Sequence, residues 1–426
     1  MSIIQKRNSA GNLLTNPLYF AAGDSASTDA FGRWRIAAPT TLFDSQFEYD
    51  DQPLLWEETN AGSGTGTHDS ADSTFNMAVT TASGDKVVKQ TRQYFRYQPG
   101  KSQFIAMTFV LATAIANMRQ RVGYFDASNG VYLETSGTTV NLCILNSGTT
   151  ADQTVARSSW DDPMDGTGAS GKNVDFTKAQ ILIIDLQWLS VGRVRVGFDI
   201  EGVLYYAHSF NHANVSTDPY MKTANLPVRY EIENTGTAAG GSTLKAICST
   251  VISEGGLEER AAFPFAADTG ATTTGISVGT TLIPLISIRP KATFNSIVNR
   301  GTILPAHFEC VTKDQPIILR VIYNGSLTNE SFTSAGTNSI TEYDISATAI
   351  SGGQQIATAY VSAASAGGGG GGGSRSAGSA MQSLSSRLPL TLDIAGSNPI
   401  PLTIAAAVLN STSSETWASW EWNELR

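Results

Sequence analysis

The sequence has little charge. Asp, Glu, Lys and Arg make up 15% of its 426 residues, against roughly 25% in an ordinary soluble domain. The shortage falls on the helix formers Glu, Lys and Arg, and Gly, Ser, Thr, Ala and Asn take their place. Short strands joined by tight turns are expected, because β-branched residues suit pleated surfaces and small polar residues suit bends. Basic excess is also missing. Lys and Arg number 28 against 37 Asp and Glu, a formal net charge of −9. No Lys/Arg cluster occurs, which argues against nucleic acid as a partner.

Cysteine is scarce and odd in number. Cys143, Cys248 and Cys310 lie far apart, so no disulfide framework follows and they read as small buried hydrophobes. Histidine is almost as scarce. His208 and His212 stand four apart, but around them the sequence reads as a strand end and a loop. A zinc-binding pair at that spacing needs a helix with a Glu beside the first His. No apolar run reaches the ~18 residues of a membrane span, and Met1 to Asn8 lacks an apolar signal core. The expectation is a chain made and folded in a reducing cytoplasm, without membrane insertion.

What is present is strand after strand. Val87 to Tyr97 mixes β-branched and aromatic residues with Lys, Gln and Arg, as a half-buried strand does. Gln103 to Leu111 is dense enough for a strand buried on both faces. Asp126 to Gly130 and Glu201-Gly202 read as hairpin turns, the first with Asn-Gly chemistry. The pattern breaks after Ser253, and a second strand series runs to the C-terminus. The fold class expected is all-β: a jelly-roll or lectin-like sandwich followed by a second β-sandwich. The divisions are an extended arm over 1–45, a first sandwich over 46–255 and a second β domain over 256–426. Gly367 to Gly373 is an unbroken glycine run. It reads as a long exposed loop inside the second domain, with an inter-domain linker as the alternative. Trp420, Trp422 and Glu424 alternate along a closing strand and share one face.

Residues for chemistry are hard to find. Trp160, Asp161, Asp162 and Asp165 make an acidic turn that could offer oxygens to calcium, although no EF-hand spacing is present. A solvated Asx/Gly turn is the preferred reading, with a ligand site as the weaker one. Glu231 and Glu233 would share a strand face, and Glu57-Glu58 and Glu258-Glu259 are neighbours; all read as surface charge. No phosphate loop or nucleophile elbow appears. Trp160, Trp188, Tyr205, Tyr206 and Tyr220 read as sandwich core, or as sugar-stacking platforms if exposed. Catalytic residues, cofactors and metal ligands are therefore expected to be none, and the chain reads as no enzyme.

One segment is distinctive. Asp29-Ala30-Phe31-Gly32-Arg33-Trp34-Arg35-Ile36, then Pro39 and Thr41-Leu42-Phe43-Asp44-Ser45-Gln46, resembles the N-terminal signature of a family of tailed-bacteriophage virion proteins. Those proteins carry an AFGRLRVS-x-P-x-TLFDSQ-like segment; here Trp34 replaces the usual Leu and Ala37 the small hydroxyl residue. Tyr49 to Glu58, Gln90 to Ser102 and the terminal Trp420 to Glu424 also look like the family. The middle region resembles a lectin-type jelly roll in strand pattern alone.

The resemblance implies a structural, non-enzymatic virion subunit. Such proteins occur as tail, fibre, neck or head-surface (capsid-decorating) components, and the position stays open. Phe31, Trp34, Ile36, Leu42 and Phe43 are the expected docking anchors, an apolar arm needing a partner to bury it. Other virion proteins are the expected partners, with assembly as a homo-oligomer, a trimer by analogy with other phage projections. The alternative is a receptor-binding fibre or adhesin that recognises a host-surface glycan. A capsule depolymerase ranks third, because no parallel β-helix period is visible.

Overall fold

The computed structural model describes residues 38–256, 262–270, 273–363, 388–410 and 412–426. These residues form strands, one short 3₁₀ turn (Arg157–Ser159) and no α-helix. The chain is all-β, as its composition requires.

The first sandwich contains β1 (Thr40–Gln46), β2 (Trp56–Ala61), β3 (Thr65–Asp69), β4 (Thr74–Val79) and β5 (Lys86–Thr91). Next come β6 (Gln103–Val110), β7 (Met118–Phe125), β8 (Asn129–Ser136), β9 (Thr139–Asn146) and β10 (Gln153–Ala156). It closes with β11 (Gln180–Leu186), β12 (Val194–Ile200), β13 (Val203–Phe210), β14 (Val228–Asn234) and β15 (Ser242–Ser253). One sheet runs β13-β12-β11-β6-β15-β4-β3, with β1 pairing β15 beyond the end of β4. The facing sheet runs β10-β9-β8-β7-β14-β5-β2. All pairings are antiparallel, and sequence neighbours are repeatedly separated in space, as in a lectin-like jelly roll.

Alternation decides what each strand buries. Along β6, Ile105, Met107 and Phe109 point into the core, while Ala106 and Thr108 face outward and stay half-buried. The expectation that Gln103 to Leu111 is buried on both faces is therefore corrected. The Glu201-Gly202 turn is as expected: both residues have positive φ, 58° and 78°, which matches the twist of a two-residue hairpin. The Asp126–Gly130 turn differs. Asn129 and Gly130 already belong to β8, and Phe125 pairs with Gly130. The Asp126 carboxylate closes the turn by accepting the Ser128 and Asn129 N–H groups. Gly130, at φ 142°, allows the close pass of Phe125, whose Cβ would lie 2.2 Å from an added methyl.

The second sandwich contains β16 (Phe263–Asp268), β17 (Ile276–Val278), β18 (Ile283–Pro290), β19 (Thr293–Phe294) and β20 (Ile297–Val298). These are followed by β21 (Thr302–Thr312), β22 (Ile317–Tyr323), β23 (Ser326–Thr328), β24 (Thr333–Ser334) and β25 (Thr341–Asp344). The last are β26 (Ala349–Ser351), β27 (Gln354–Val361), β28 (Leu402–Val408) and β29 (Ser414–Leu425). One sheet is β16-β29-β17 with β21 on the other side of β29, and the other is β24-β25-β18-β28-β22-β27. Trp420 and Trp422 of β29 are buried in one cluster with Leu285 of β18, Leu319 of β22 and Ile404 of β28, a core separate from the first. Gly367 to Gly373 lies outside the described residues.

Candidate functional site

The expected docking anchors divide. Phe31, Trp34 and Ile36 lie outside the described residues. Leu42 and Phe43 need no outside partner: they sit in β1, which pairs with β15, so the first sandwich already includes Thr40–Gln46 and does not start at 46. Phe43 is buried, and Leu42 packs against the same core. The reason is ring packing. Phe43 lies 5.8 Å from Trp56 and 5.2 Å from Phe95, and Trp56 lies 5.4 Å from Phe47.

The acidic turn holds itself together. Asp162 is buried and accepts the N–H groups of Met164 and Ser170 at 3.1 and 2.7 Å. Asp165 accepts the Thr167 N–H and hydroxyl, and Asp161 accepts the Ser209 N–H. Trp160 is in the core, its indole N–H donating to the Val155 carbonyl. Burial opposes the charge of Asp162, yet its hydrogen bonds to Ser170 and Met164 prevail and hold its pKa low. Among the described residues, no group of three or more His, Cys, Asp or Glu is placed to hold a metal. His212 stacks on Tyr220 at 3.9 Å and bonds the Gly192 carbonyl through Nδ1, while His208 faces Asp161. Tyr220 is buried, Trp188 and Tyr205 pack against the core, and Tyr206 donates to Asp185 on the outer face.

Glu231 does not fit its reading as surface charge. It points outward from the seven-stranded sheet, but long neighbours on three strands bury it. Its carboxylate pairs with Arg229 and lies 3.3 Å from Lys86, 3.6 Å from Arg119 and 3.8 Å from Arg121. Arg121 also binds Glu134 at 2.8 Å, and Arg119 binds Glu233 at 2.5 Å. Burial alone would raise the Glu231 pKa, but Arg229, Lys86 and Arg121 outweigh it and hold it at about 2. Beside this network Phe125, Tyr132, Cys143 and Leu145 form a small buried apolar cluster. A general acid must carry a proton near neutral pH. Glu231 stays ionised, so it is not a proton donor for acid-assisted cleavage.

A joint links the two cores. Glu57 Oε2 accepts from Arg92 Nη1 and from the Ile394 N–H, both at 3.2 Å. Arg300 stacks over the Tyr94 ring at 4.2 Å and donates to the Asp393 and Ile394 carbonyls, each at 2.8 Å. Burial raises the Glu57 pKa, against the pull of Arg92.

An open groove of about 1070 Å³ lies next to that joint. Its floor is the outer face of the eight-stranded sheet, where Ala106 and Thr108 of β6 stand beside Cys248 and Thr250 of β15. Both floor strands have a neighbouring strand on each side, with a β-bulge between Ala246 and Ser249, so neither offers a free edge there. One wall is the 49–55 loop, pinned to β1 by Ser45, which donates to Gln52 and accepts from the Trp56 indole at 2.7 Å each. Gln354 of β27 closes the other side. Tyr49 stands 85% exposed at the rim. Neither a single segment nor a local spacing marks this groove in the sequence, because its residues come from four separate stretches, 44–55, 106–108, 248–250 and 354.

No family model and no curated protein matches the chain. Solved structures do. A glycosyl hydrolase family protein from Mycobacterium fortuitum is 10% identical, with 50% of this chain and 99% of that one covered and a TM-score of 0.35. The legume lectin-like domain from Entamoeba histolytica is 8% identical over 50% and 98%, with a TM-score of 0.31. Lectin I-B4 from Griffonia simplicifolia is 14% identical over 50% and 98%, with a TM-score of 0.31. At that level of superposition no activity or ligand carries over to this chain.

Proposed function

We propose that the chain is a non-enzymatic building block of a tailed-phage particle, attached through its N-terminal segment and assembled as a homo-oligomer. The observation that supports this is where the virion-like segments fold. Thr41 to Gln46, Tyr49 to Glu58 and Gln90 to Ser102 supply most of β1, the start of β2 and the end of β5 with the stretch that follows it. They bury Phe43, Trp56 and Phe95 in one ring cluster and carry Glu57, Arg92 and Tyr94 to the joint. Trp420 to Glu424 supplies the second core. These segments serve both cores and the joint, as suits a shape-bearing part, and they also form one wall of the open groove.

Edge strands favour oligomerisation. Among the described residues β27 pairs only with β22, carries no charge or proline from Gln354 to Val361, and leaves Tyr360 exposed. Such an edge invites another strand or needs a cover, and a neighbouring subunit would supply it, in a trimer by analogy with other phage projections. Deletion of residues 1–39 tests the attachment. The truncated protein should fold with an unchanged melting temperature yet be missing from purified particles; its retention there would reject the attachment.

A second reading, recognition of a host-surface glycan, is favoured by the open groove beside the joint.

A further inference from the structure

The groove has a definite chemistry. Among the described residues that line it, none is Lys, Arg or His. Its charged members are Asp44 and Asp50. Asp50 uses one oxygen for the Gln52 N–H, leaving the other open. Short side chains on the floor give depth, and Tyr49 offers an aromatic face to anything lying in it.

Each feature narrows the occupant. A cleft with carboxylates and no cation repels phosphate, sulfate and carboxylate ligands. An exposed ring beside short polar groups matches a molecule that is apolar on one face and hydroxylated at its edge. Sugar rings are built in that way, with axial C–H bonds to lie on the aromatic face and equatorial hydroxyls for carboxylates to accept from. An extended peptide fits less well, because the floor strands have no free main-chain edge to offer it.

We propose that this groove is a saccharide subsite for neutral sugars, with Tyr49 as the stacking platform and Asp44 and Asp50 as hydroxyl acceptors. The proposal rests on the glycan-recognition reading and is independent of the building-block one. It places the subsite where both sandwiches contribute, since Gln354 comes from the second. Cys248 on the floor is half-buried, whereas Cys143 and Cys310 are buried. It therefore serves as an internal reporter of occupancy.

The test is saturation-transfer difference NMR on the full chain. The probes are neutral hexose and N-acetylhexosamine oligosaccharides, their sialylated or phosphorylated counterparts, and neutral peptides of similar length. The expected result is transfer to neutral saccharides alone. Affinity should fall roughly five- to tenfold in Tyr49→Ala, the worth of a stacked ring, and return in Tyr49→Trp. The Tyr49→Ala protein should melt as the wild type does, since that ring lies outside the core. Bound saccharide should also slow maleimide labelling of Cys248. Neutral-saccharide binding that Tyr49→Ala leaves intact would overturn this site while glycan recognition stands. Transfer to no saccharide would overturn both. Preference for anionic sugars or for peptides would overturn the proposed chemistry.

Discussion

Glu57 and Ile394 lie 337 residues apart in sequence, yet the Glu57 carboxylate accepts the Ile394 main-chain N–H at 3.2 Å. The same oxygen holds Arg92, so one half-buried group fastens β2, β5 and the stretch leading to β28. Glu57→Ala should leave both cores folded and loosen the joint. A hydrogen bond to a half-buried, solvent-screened carboxylate is worth about 1 kcal/mol. Hydrogen exchange at the Ile394 amide should therefore quicken roughly five- to tenfold. Unchanged exchange there would show that the joint is held by Arg300 and Tyr94 alone.

Glu231 sets an acid limit on the first sandwich. Its folded pKa, about 2, lies below the ordinary 4.5. A carboxylate depressed in this way stabilises the fold fully above the unfolded value and loses that contribution as pH falls towards the folded one. The window is thus from about pH 4.5 down to about 2. The contribution is on the order of 3 kcal/mol. Glu231→Gln should remove this part of the acid transition and lower stability at pH 7 by roughly 3 kcal/mol or more, because the buried Arg229 loses its carboxylate partner. Urea titrations at pH 7 and pH 3 measure both.

Glu424 does comparable work in the second sandwich with hydrogen bonds alone. It is buried and accepts from Ser339 Oγ at 2.5 Å, Thr341 Oγ1 at 2.7 Å, the Ile340 N–H at 2.9 Å and the Trp422 indole N–H at 3.1 Å. In Glu424→Gln, one donor on the new amide must face a donor on the protein. The expected cost is about 1–3 kcal/mol, read as a lower melting temperature of the second sandwich with the first unaffected.

Phe43 separates core from arm. Phe43→Ala should destabilise the isolated chain by about 3–5 kcal/mol, as removal of a buried ring does. A pure docking residue would leave the melting temperature unchanged and affect only incorporation into particles.

The sequence made the strand menu plain, and the physical reason is local. Alternation along β6 and the Glu201-Gly202 turn are short-range facts, carried by side-chain period and by positive φ. Burial of Glu231 was not legible in that way. Alternation says that it faces outward, but the cations around it come from β5, β7 and its own strand, far apart in sequence. Leu42 and Phe43 were misplaced because an apolar clump at the edge of a polar segment looks the same whether its partner is another protein or β15. Asn129-Gly130 was misread because the Asp126 carboxylate, and not the Asn-Gly pair, closes that turn. The groove needed the fold itself, since Tyr49, Thr108, Cys248 and Gln354 meet only in three dimensions.

The central claim is that this chain is a repeated part of a virion. Immunogold electron microscopy of purified particles tests it directly, with antibody raised against residues 46–255. Label is expected at a fixed, symmetric position on every particle. Unlabelled intact particles, with the same antibody binding free protein, would contradict it.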